Sequence, residues 1–341
     1  MGAFTSLLDK KPYLLADGAT GTSYFDMGLV AGDAPELWNV EHPQRVASLH
    51  AAFIAAGSDI ILTNSFGGSR YRLMLHGEQD RVGELNTAAA RIACAEAGRA
   101  ARPVVVAGSM GPTGELFEPL GPLTFAAGRA AFAEQAQALA AGGAEVLWLE
   151  TLSSSEELVA AVAGAAAVDL PIVATLSFDT HGSTMMGISP AELARICMQL
   201  DPFPVAIGTN CGVGPAEVVT AIMQIHALDA SRVLVAKANC GVPEFRDGAI
   251  RYDGTPELMG RYACLARDVG ARIIGGCCGT TPDHIRHMHA ALRSTGPGGT
   301  PDLARIEAVL GKVSEGTRSR CYTDVLEQAV ARPRRRRRAR V

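Results

Sequence analysis

The chain has 341 residues, and its content of 48% hydrophobic and 19% charged residues excludes an intrinsically disordered protein and suffices for a large buried core. The net charge of −4 conceals an asymmetry, because seven arginines lie between Arg332 and Arg340, and without them 24 basic residues face 35 acidic ones. An acidic body argues against nucleic-acid binding by the folded part, and a terminal arginine run is typical of a solvated, disordered end.

Eight short apolar or β-branched runs predict strands, and each is followed by a longer amphipathic stretch that predicts a helix. The strands are expected at 13–16, 59–63, 103–107, 145–149, 172–177, 205–208, 232–236 and 272–275. The helices are expected near 43–56, 82–101, 124–141, 154–167, 190–200, 215–228, 255–269 and 282–293. Proline at the start of several of these helices supports their positions. Strict alternation predicts an α/β protein with a single (β/α)8 TIM barrel.

A doubly wound open sheet is the structural alternative to the barrel. It normally has fewer strands and a G-x-G-x-x-G first turn, which DGATG at 17–21 does not match. We expect the barrel to occupy residues 1–294. Residues 295–341 are expected to form a linker, a short amphipathic helix near 301–312 and the disordered basic tail.

Polar residues follow every predicted strand, at the end of a barrel where active sites lie. In chain order the strands are followed by Asp17-Gly18, residues 64–66, 108–111, Glu150-Thr151, residues 178–179, 210–212, 239–241 and 276–279. Four of the eight cysteines thereby fall on one rim: Cys211, Cys240, Cys277 and Cys278.

The N-terminus lacks the basic and apolar regions of a secretory signal, and no apolar run approaches the roughly 20 residues of a membrane-spanning helix. Eight cysteines in a chain of this length do not suggest a disulfide scaffold. We therefore expect a cytoplasmic protein without a membrane partner. In that compartment, clustered cysteines more often bind metal than form disulfides.

Four rim thiols leave several outcomes open. All four together would form a closed structural zinc site, whereas three thiolates with one open position would form a catalytic site. Adjacent Cys277 and Cys278 could instead form a vicinal disulfide, and buried or incidental cysteines are a further alternative. Spacing does not decide between these outcomes, because the cysteines do not form a C-x2-C pair. The remaining cysteines are expected to be small buried hydrophobic residues: Cys94, Cys197, Cys264 and Cys321.

DGATGT at 17–22, NSF at 64–66, LE at 149–150, NCGVGP at 210–215 and GGCCGT at 275–280 together resemble the homocysteine S-methyltransferase family. This family includes betaine–homocysteine methyltransferases and the homocysteine domain of cobalamin-dependent methionine synthase, and the resemblance spans about residues 12–293. It implies zinc (Zn²⁺) bound by Cys211, Cys277 and Cys278, with Asn239 as a candidate fourth ligand when substrate is absent. Cys240 is not among the implied ligands, since the related family motif reads NAG-x-P, with Ala where this chain has Cys.

The resemblance also implies a homocysteine site that contains Asp17 and Glu150, whose carboxylates would bind the substrate ammonium group. Gly18, Ser109 and Met110 are expected to offer backbone N–H groups to the substrate carboxylate. The alternative is that Asp17 caps a turn, as Asp-Gly often does, and that Glu150 is a charge at the start of a helix.

The methyl donor is harder to predict. A trimethylammonium donor would need aromatic side chains for cation–π contact, and each candidate has ordinary packing as its alternative role. The candidates near the rim loops are Trp38, Phe66, Tyr71 and Phe117. His76, His181 and His284 show no metal-ligand spacing and are expected at surface or loop positions.

Cysteine ligands suit methyl transfer to sulfur. Homocysteine attacks as a thiolate, and metal coordination deprotonates the thiol. Three cysteine thiolates leave electron density on a fourth sulfur, so that it stays reactive. The sequence therefore predicts a zinc-dependent homocysteine S-methyltransferase that forms methionine, with betaine or a related small onium compound as the donor.

Two alternatives stay open. The chain could be the homocysteine-activating subunit of a split cobalamin-dependent methionine synthase that takes the methyl group from a separate corrinoid protein. It could also be a non-catalytic zinc-binding barrel with a closed four-cysteine site. Nucleic-acid and membrane partners are not expected, and the oligomeric state is not readable from the sequence.

Overall fold

Ten strands are present in the computed structural model, which describes residues 2–246 and 249–321. They are β1 (Leu14–Leu15), β2 (Ile60–Leu62), β3 (Val105–Met110), β4 (Val146–Leu152), β5 (Ile172–Leu176), β6 (Ala206–Cys211), β7 (Val233–Ala238), β8 (Pro243–Arg246), β9 (Ala249–Tyr252) and β10 (Ala271–Gly276). All of them except β8 and β9 form one parallel sheet in the order β1-β10-β7-β6-β5-β4-β3-β2. A parallel bridge between Ala16 and Ile60 joins the two edges of the sheet. The predicted (β/α)8 TIM barrel is therefore confirmed.

Helices surround this sheet and also lie in its rim loops. They are α1 (Ala3–Lys10), α2 (Gly21–Asp26), α3 (Trp38–Glu41), α4 (Pro43–Ala56), α5 (Arg70–Met74), α6 (Val82–Arg99), α7 (Phe125–Gly142), α8 (Ser155–Ala165), α9 (Pro190–Cys197), α10 (Pro215–Leu228), α11 (Pro256–Asp268), α12 (Pro282–Ser294) and α13 (Leu303–Leu310). All eight predicted barrel helices are present, and their ends lie within a few residues of the expected positions. Helix α1 and the short α2, α3 and α5 were not predicted from the sequence.

Local sequence explains where several helices begin and end. Helix α9 starts with a capping box, in which the Ser189 hydroxyl and the Glu192 carboxylate each accept a hydrogen bond from the other residue's backbone N–H, and Pro190 occupies the first turn. Helix α4 ends at Gly57, whose φ of 115° is accessible at low cost only to glycine. These signals are why the outer helices were predictable within narrow limits.

Alternation along each strand produces two apolar layers. Leu14, Val105 and Trp148 belong to the cluster that fills the barrel interior, whereas Leu15 and Val106 belong to the cluster between strands and helices. Helix α1 contributes Phe4, Leu7 and Leu8 to the interior cluster, so it covers the amino end of the barrel. The carboxyl end is left for polar residues at interior-facing positions.

The segment after the barrel packs against its outer surface. The Glu217 carboxylate on α10 accepts hydrogen bonds from the Ser314 backbone N–H, at 2.6 Å, and from the Thr317 hydroxyl, at 2.5 Å. Helix α13 lies within the range where the sequence predicts a short helix. The arginine run lies outside the described residues, so the domain boundary at residue 294 and the basic tail stay predictions. Within the described part, no helix combines the length and apolar character needed to cross a membrane.

Candidate metal centre and active site

Three thiols meet at the carboxyl end of the barrel. The Sγ atoms of Cys211, Cys277 and Cys278 all lie within 4.8 Å of one another. Cys211 is the last residue of β6, whereas Cys277 and Cys278 directly follow β10, and β7 pairs with both of these strands. Cys211 has a φ of 63°, a left-handed conformation that costs a non-glycine residue free energy and often marks a functional site.

Two asparagines hold the thiol loops in place. The Asn210 amide donates to the Thr151 hydroxyl, at 2.7 Å, and contacts the Cys277 Sγ at 3.8 Å. Asn239 donates to the Gly212 carbonyl at 2.7 Å, and its Oδ1 accepts from the Cys278 backbone N–H at 3.0 Å. Asn239 thus links the loop after β6 to the loop after β10. The nitrogen and the oxygen of its side-chain amide thus both have hydrogen-bond partners. Its role as a fourth ligand stays a prediction.

Cys240 points to different neighbours. Its thiol donates to the Gly254 carbonyl at 2.8 Å and lies 3.1 Å from the His284 Nε2 atom. Its backbone N–H donates to the Cys278 carbonyl at 2.9 Å, so its main chain supports the thiol cluster that its side chain does not join. Burial raises the pKa of the Cys240 thiol to about 12, which keeps this sulfur protonated.

A cavity of about 470 Å³ opens above the thiols, a volume typical of small-molecule sites. The three cysteines line one part of it together with Glu150, Lys237 and Ser109. The loops after β1 and β2 form the rest of the wall, with residues that include Gly18, Thr22, Asn64, Phe66, Arg72 and His76. The cavity therefore joins candidate metal ligands to charged side chains at interior-facing strand positions.

Glu150 is one of the charged groups on the cavity wall. The Ser109 hydroxyl donates to its Oε1 at 2.5 Å. Burial raises the pKa of the Glu150 carboxyl, and the positive charge of Lys237 and the hydrogen bond from Ser109 oppose this rise. Glu150 is thus a buried acidic group at the cavity whose pKa stays above its usual value, although Lys237 and Ser109 offset part of the effect of burial.

Lys237 on β7 is a site residue that was not predicted from the sequence. Its Nζ lies 2.8 Å from the Asp17 Oδ1, and both side chains are almost fully buried. Burial lowers the pKa of Lys237, but the negative charges of Asp17 and Glu150 outweigh it, and the net shift is upward. The sequence did contain a signal for this residue, which is a lysine within the apolar run VLVAKA at 233–238. Lys237 is two residues after Val235, so on a strand it faces the barrel interior as Val235 does.

Comparisons with known proteins identify the family. A sequence model described as Homocysteine S-methyltransferase matches residues 14–292. The chain belongs to the homocysteine S-methyltransferase family. The family resemblance found in the sequence motifs is therefore confirmed.

Two curated methionine synthases are similar to this chain. The proteins of Mycobacterium tuberculosis and Mycobacterium leprae are 32% and 30% identical to it over 308 and 306 residues. These regions cover 84% of this chain but 25% of each relative. The chain thus spans about a quarter of the length of the curated relatives that it matches.

Solved structures of the homocysteine methyltransferase MmuM from Escherichia coli share the fold. The metallated form has a TM-score of 0.69 and 25% identity, and the match covers 84% of this chain and 99% of that one. The oxidised form has a TM-score of 0.71 and 24% identity, with coverage of 85% and 99%.

The thiol cluster fits a divalent metal that favours sulfur. The hydrogen bond with the Cys211 thiol, together with burial, raises the pKa of the Cys277 thiol above its usual range. Three thiolates held this close in a partly buried site repel one another, and a divalent cation would offset that repulsion. Three protein ligands beside an open cavity are also the number found in catalytic zinc sites.

Only some of the residues predicted to bind homocysteine lie at the cavity wall. Glu150, Ser109 and Gly18 line the cavity, whereas Asp17 and Met110 are not part of its wall. Met110 packs in the cluster between strands and helices. Gly18 approaches the loop after β10 so closely that a Cβ would lie 2.3 Å from the Thr280 carbonyl oxygen, which explains the first glycine of the DGATGT motif. The predicted backbone contacts to substrate stay predictions.

The four aromatic candidates for the donor side are not brought together. Phe66 lines the cavity with 39% of its surface exposed. Trp38 is buried against Tyr24, with ring centroids 5.2 Å apart, and Phe117 is buried in a small cluster against which Tyr71 packs. Packing takes up these three rings, so an aromatic cage of all four is not formed in this structure.

A Cys240→Ala variant is expected to keep the metal-to-protein ratio of the wild type, because the Cys240 thiol is bonded to Gly254 and His284 rather than to the cluster. Metal analysis after dialysis against a weak chelator measures this ratio. A variant that lost the metal under these conditions would place Cys240 among the ligands.

Proposed function

We propose that this methyltransferase is a zinc-dependent enzyme that methylates homocysteine to form methionine. The observation that carries the proposal is the opening of the Cys211, Cys277 and Cys278 cluster into a cavity whose wall also holds a carboxylate and an ammonium group. Such a wall matches an amino acid with a thiol side chain, because the thiol group of the substrate would face the cysteine cluster and its charged end would face Glu150 and Lys237.

Zinc is the metal that the donor set favours, because it binds thiolate sulfur and needs no redox change. Cys211, Cys277 and Cys278 would hold it, and when bound it supplies the chemistry that keeps the substrate sulfur deprotonated. One of the similar structures, the homocysteine methyltransferase MmuM from Escherichia coli, was solved in a metallated form, which supports a metal at this site.

Other residues of the chain would bind the substrate and hold the thiol loops in position. Glu150 would accept the substrate ammonium group, and the hydrogen bond from the Ser109 hydroxyl supports this role by orienting its carboxylate. Asn210 and Asn239 hold the thiol loops at a fixed separation, so that three sulfurs converge before substrate arrives.

Betaine or a related small onium compound is the proposed donor. The cavity extends from the thiols to Phe66, whose exposed ring offers a face to a cationic methyl donor. Its volume suits two small molecules that react directly. We expect the purified protein to form methionine from homocysteine and betaine with no second protein, as measured by product analysis.

A split methionine synthase is the second candidate, in which a separate corrinoid protein supplies the methyl group. The observation that favours it is the match to two methionine synthases, of which this chain spans a quarter. Several large apolar side chains are also exposed in the loops at the carboxyl end of the barrel, including Val30, Leu116, Leu120 and Met185. Turnover that requires a methylated corrinoid protein, with none from betaine, would select this candidate.

X-ray absorption at the zinc edge separates both enzymes from a closed four-cysteine barrel. We expect three sulfur ligands in the free protein and a fourth zinc–sulfur bond when homocysteine is added. Four sulfurs that do not change on addition of homocysteine would contradict the proposed function. The hydrogen bonds of Cys240 to Gly254 and His284 argue for the first result.

A further inference from the structure

Lys237 lies between Asp17 and the cavity. Lys237 is part of the cavity wall, whereas Asp17 is not, and 1% of the surface of Asp17 is exposed. Glycine at position 275 makes room for the lysine stem, because a Cβ there would lie 3.2 Å from the Lys237 Cγ and 2.9 Å from the Ala16 Cβ. The charged group that a ligand meets on this side of the cavity is therefore an ammonium group.

Both oxygens of Asp17 already have protein partners. Oδ2 accepts a hydrogen bond from the Leu62 backbone N–H at 2.7 Å, and Oδ1 accepts one from the Lys237 Nζ at 2.8 Å. The carboxylate is thus directed at the lysine and at the last residue of β2. In this arrangement Asp17 fixes the position of Lys237 and does not itself face the cavity.

Lys237 and Glu150 give the cavity wall one positive and one negative charge beside the thiol cluster. An α-amino acid carries the complementary pair, an ammonium group and a carboxylate on one carbon. We propose that Lys237 binds the α-carboxylate of the amino-acid thiol while Glu150 binds its ammonium group, with Asp17 as the positioning residue behind Lys237. This assignment rests on the proposed function, and it differs from the expectation that Asp17 contacts the substrate.

An ion pair that serves stability alone is a weak explanation for Lys237. Replacement of a buried ion pair by apolar side chains is often neutral or stabilising. Val235, two residues earlier on the same strand, shows that the interior of this barrel accepts apolar side chains at such positions. A lysine at the cavity wall is better explained by a ligand that carries negative charge.

Two substrate analogues test the assignment. 3-Aminopropane-1-thiol lacks the carboxylate of homocysteine, and 4-mercaptobutanoate lacks the amino group. Dissociation constants are measured by calorimetry on zinc-loaded protein without a methyl donor. In the wild type, removal of either group is expected to weaken binding about 10- to 100-fold, the range for a hydrogen bond between charged groups.

Lys237→Met should weaken homocysteine binding by a similar factor and should then bind homocysteine and 3-aminopropane-1-thiol equally. Glu150→Gln should give the reciprocal result and lose the difference between homocysteine and 4-mercaptobutanoate. A general structural disturbance would weaken all three ligands alike and preserve both differences. Lys11→Met, which removes another lysine–aspartate pair near the amino end of the barrel, is the matched control and should leave all three constants unchanged.

Lys237→Met protein that still prefers homocysteine over 3-aminopropane-1-thiol by the wild-type factor would overturn the assignment. If Lys237→Met does not fold, the same comparison is made in Asp17→Asn/Lys237→Met, which removes both charges of the pair and should show the same loss of preference. Wild-type protein that binds neither homocysteine nor the analogues would contradict the proposed function itself, and the assignment of Lys237 would fail with it.

Discussion

Replacing Cys278 by alanine is expected to abolish zinc binding and methyl transfer while the barrel stays folded. The Cys278 Sγ is one of three sulfurs that converge within 4.8 Å, and the cysteine follows β10 rather than filling the apolar core. Loss of one of three ligands should lower metal affinity by more than about 100-fold, since changes to outer-shell partners alone cost about 10- to 100-fold. Metal analysis, circular dichroism and turnover with homocysteine measure the three effects.

Cys264→Ala provides the matched control for this variant. Cys264 is a half-buried cysteine of α11 outside the cavity wall, so its removal should leave metal content and turnover unchanged. Full activity in Cys278→Ala would show that the metal assignment is wrong. Loss of the far-ultraviolet helical signal together with the metal would instead show that the cluster supports the fold.

The barrel was predictable because its signals are local. Each interior strand is a short apolar run, and helices such as α9 and α12 begin at a Ser-Pro or Thr-Pro pair that needs no tertiary contact to be recognised. The strand ends were less predictable. Strands β3, β6 and β7 continue through Ser109, Cys211 and Lys237, because their backbone groups still pair with the neighbouring strands.

Local pattern could not separate the two rim cysteines that lie in Asn-Cys-Gly triplets at 210–212 and 239–241. Both triplets end neighbouring strands, yet Cys211 joins the thiol cluster and Cys240 contacts Gly254 and His284. The two thiols differ because the partners of Cys240 come from later parts of the chain: Gly254 follows β9, and His284 lies on α12. Family resemblance implied the same selection of ligands, but spacing along the chain did not contain it.

The pairing of Lys237 with Asp17 was also outside the reach of sequence patterns. The two residues are 220 positions apart and meet because β10 places β1 and β7 on either side of itself. The predicted strand ended at residue 236, one residue before Lys237, so the lysine was not recognised as part of the strand. Tyr252, the last residue of β9, hydrogen-bonds the Cys278 thiol and was not predicted either, because this contact depends on tertiary structure.

Lys237→Met is expected to lower the free energy of unfolding by about 3–5 kcal/mol, the usual cost of breaking a buried ion pair from one side. The Asp17 carboxylate would stay buried with 1% of its surface exposed and without its counter-charge. In Asp17→Asn/Lys237→Met, the amide oxygen at position 17 can still accept from Leu62, and the charge of Asp17 is removed together with that of its partner. We therefore expect the double variant to be more stable than Lys237→Met, as measured by urea unfolding of metal-free protein.

The pair of Lys11 and Asp59 near the amino end of the barrel is the control for this stability measurement. The Lys11 side chain is 42% exposed, and Arg102 also contacts its partner Asp59. Because water and a second cation replace the lost charge, Lys11→Met should cost at most about 1 kcal/mol. A Lys237→Met variant as stable as Lys11→Met would mean that water reaches Asp17 and that the pair is not the desolvated unit its burial indicates. A large loss of stability in Lys237→Met that the additional Asp17→Asn substitution reverses would show instead that each charge stabilises the other in its buried position. A lysine held in this way at the cavity wall is available to bind the carboxylate of a ligand.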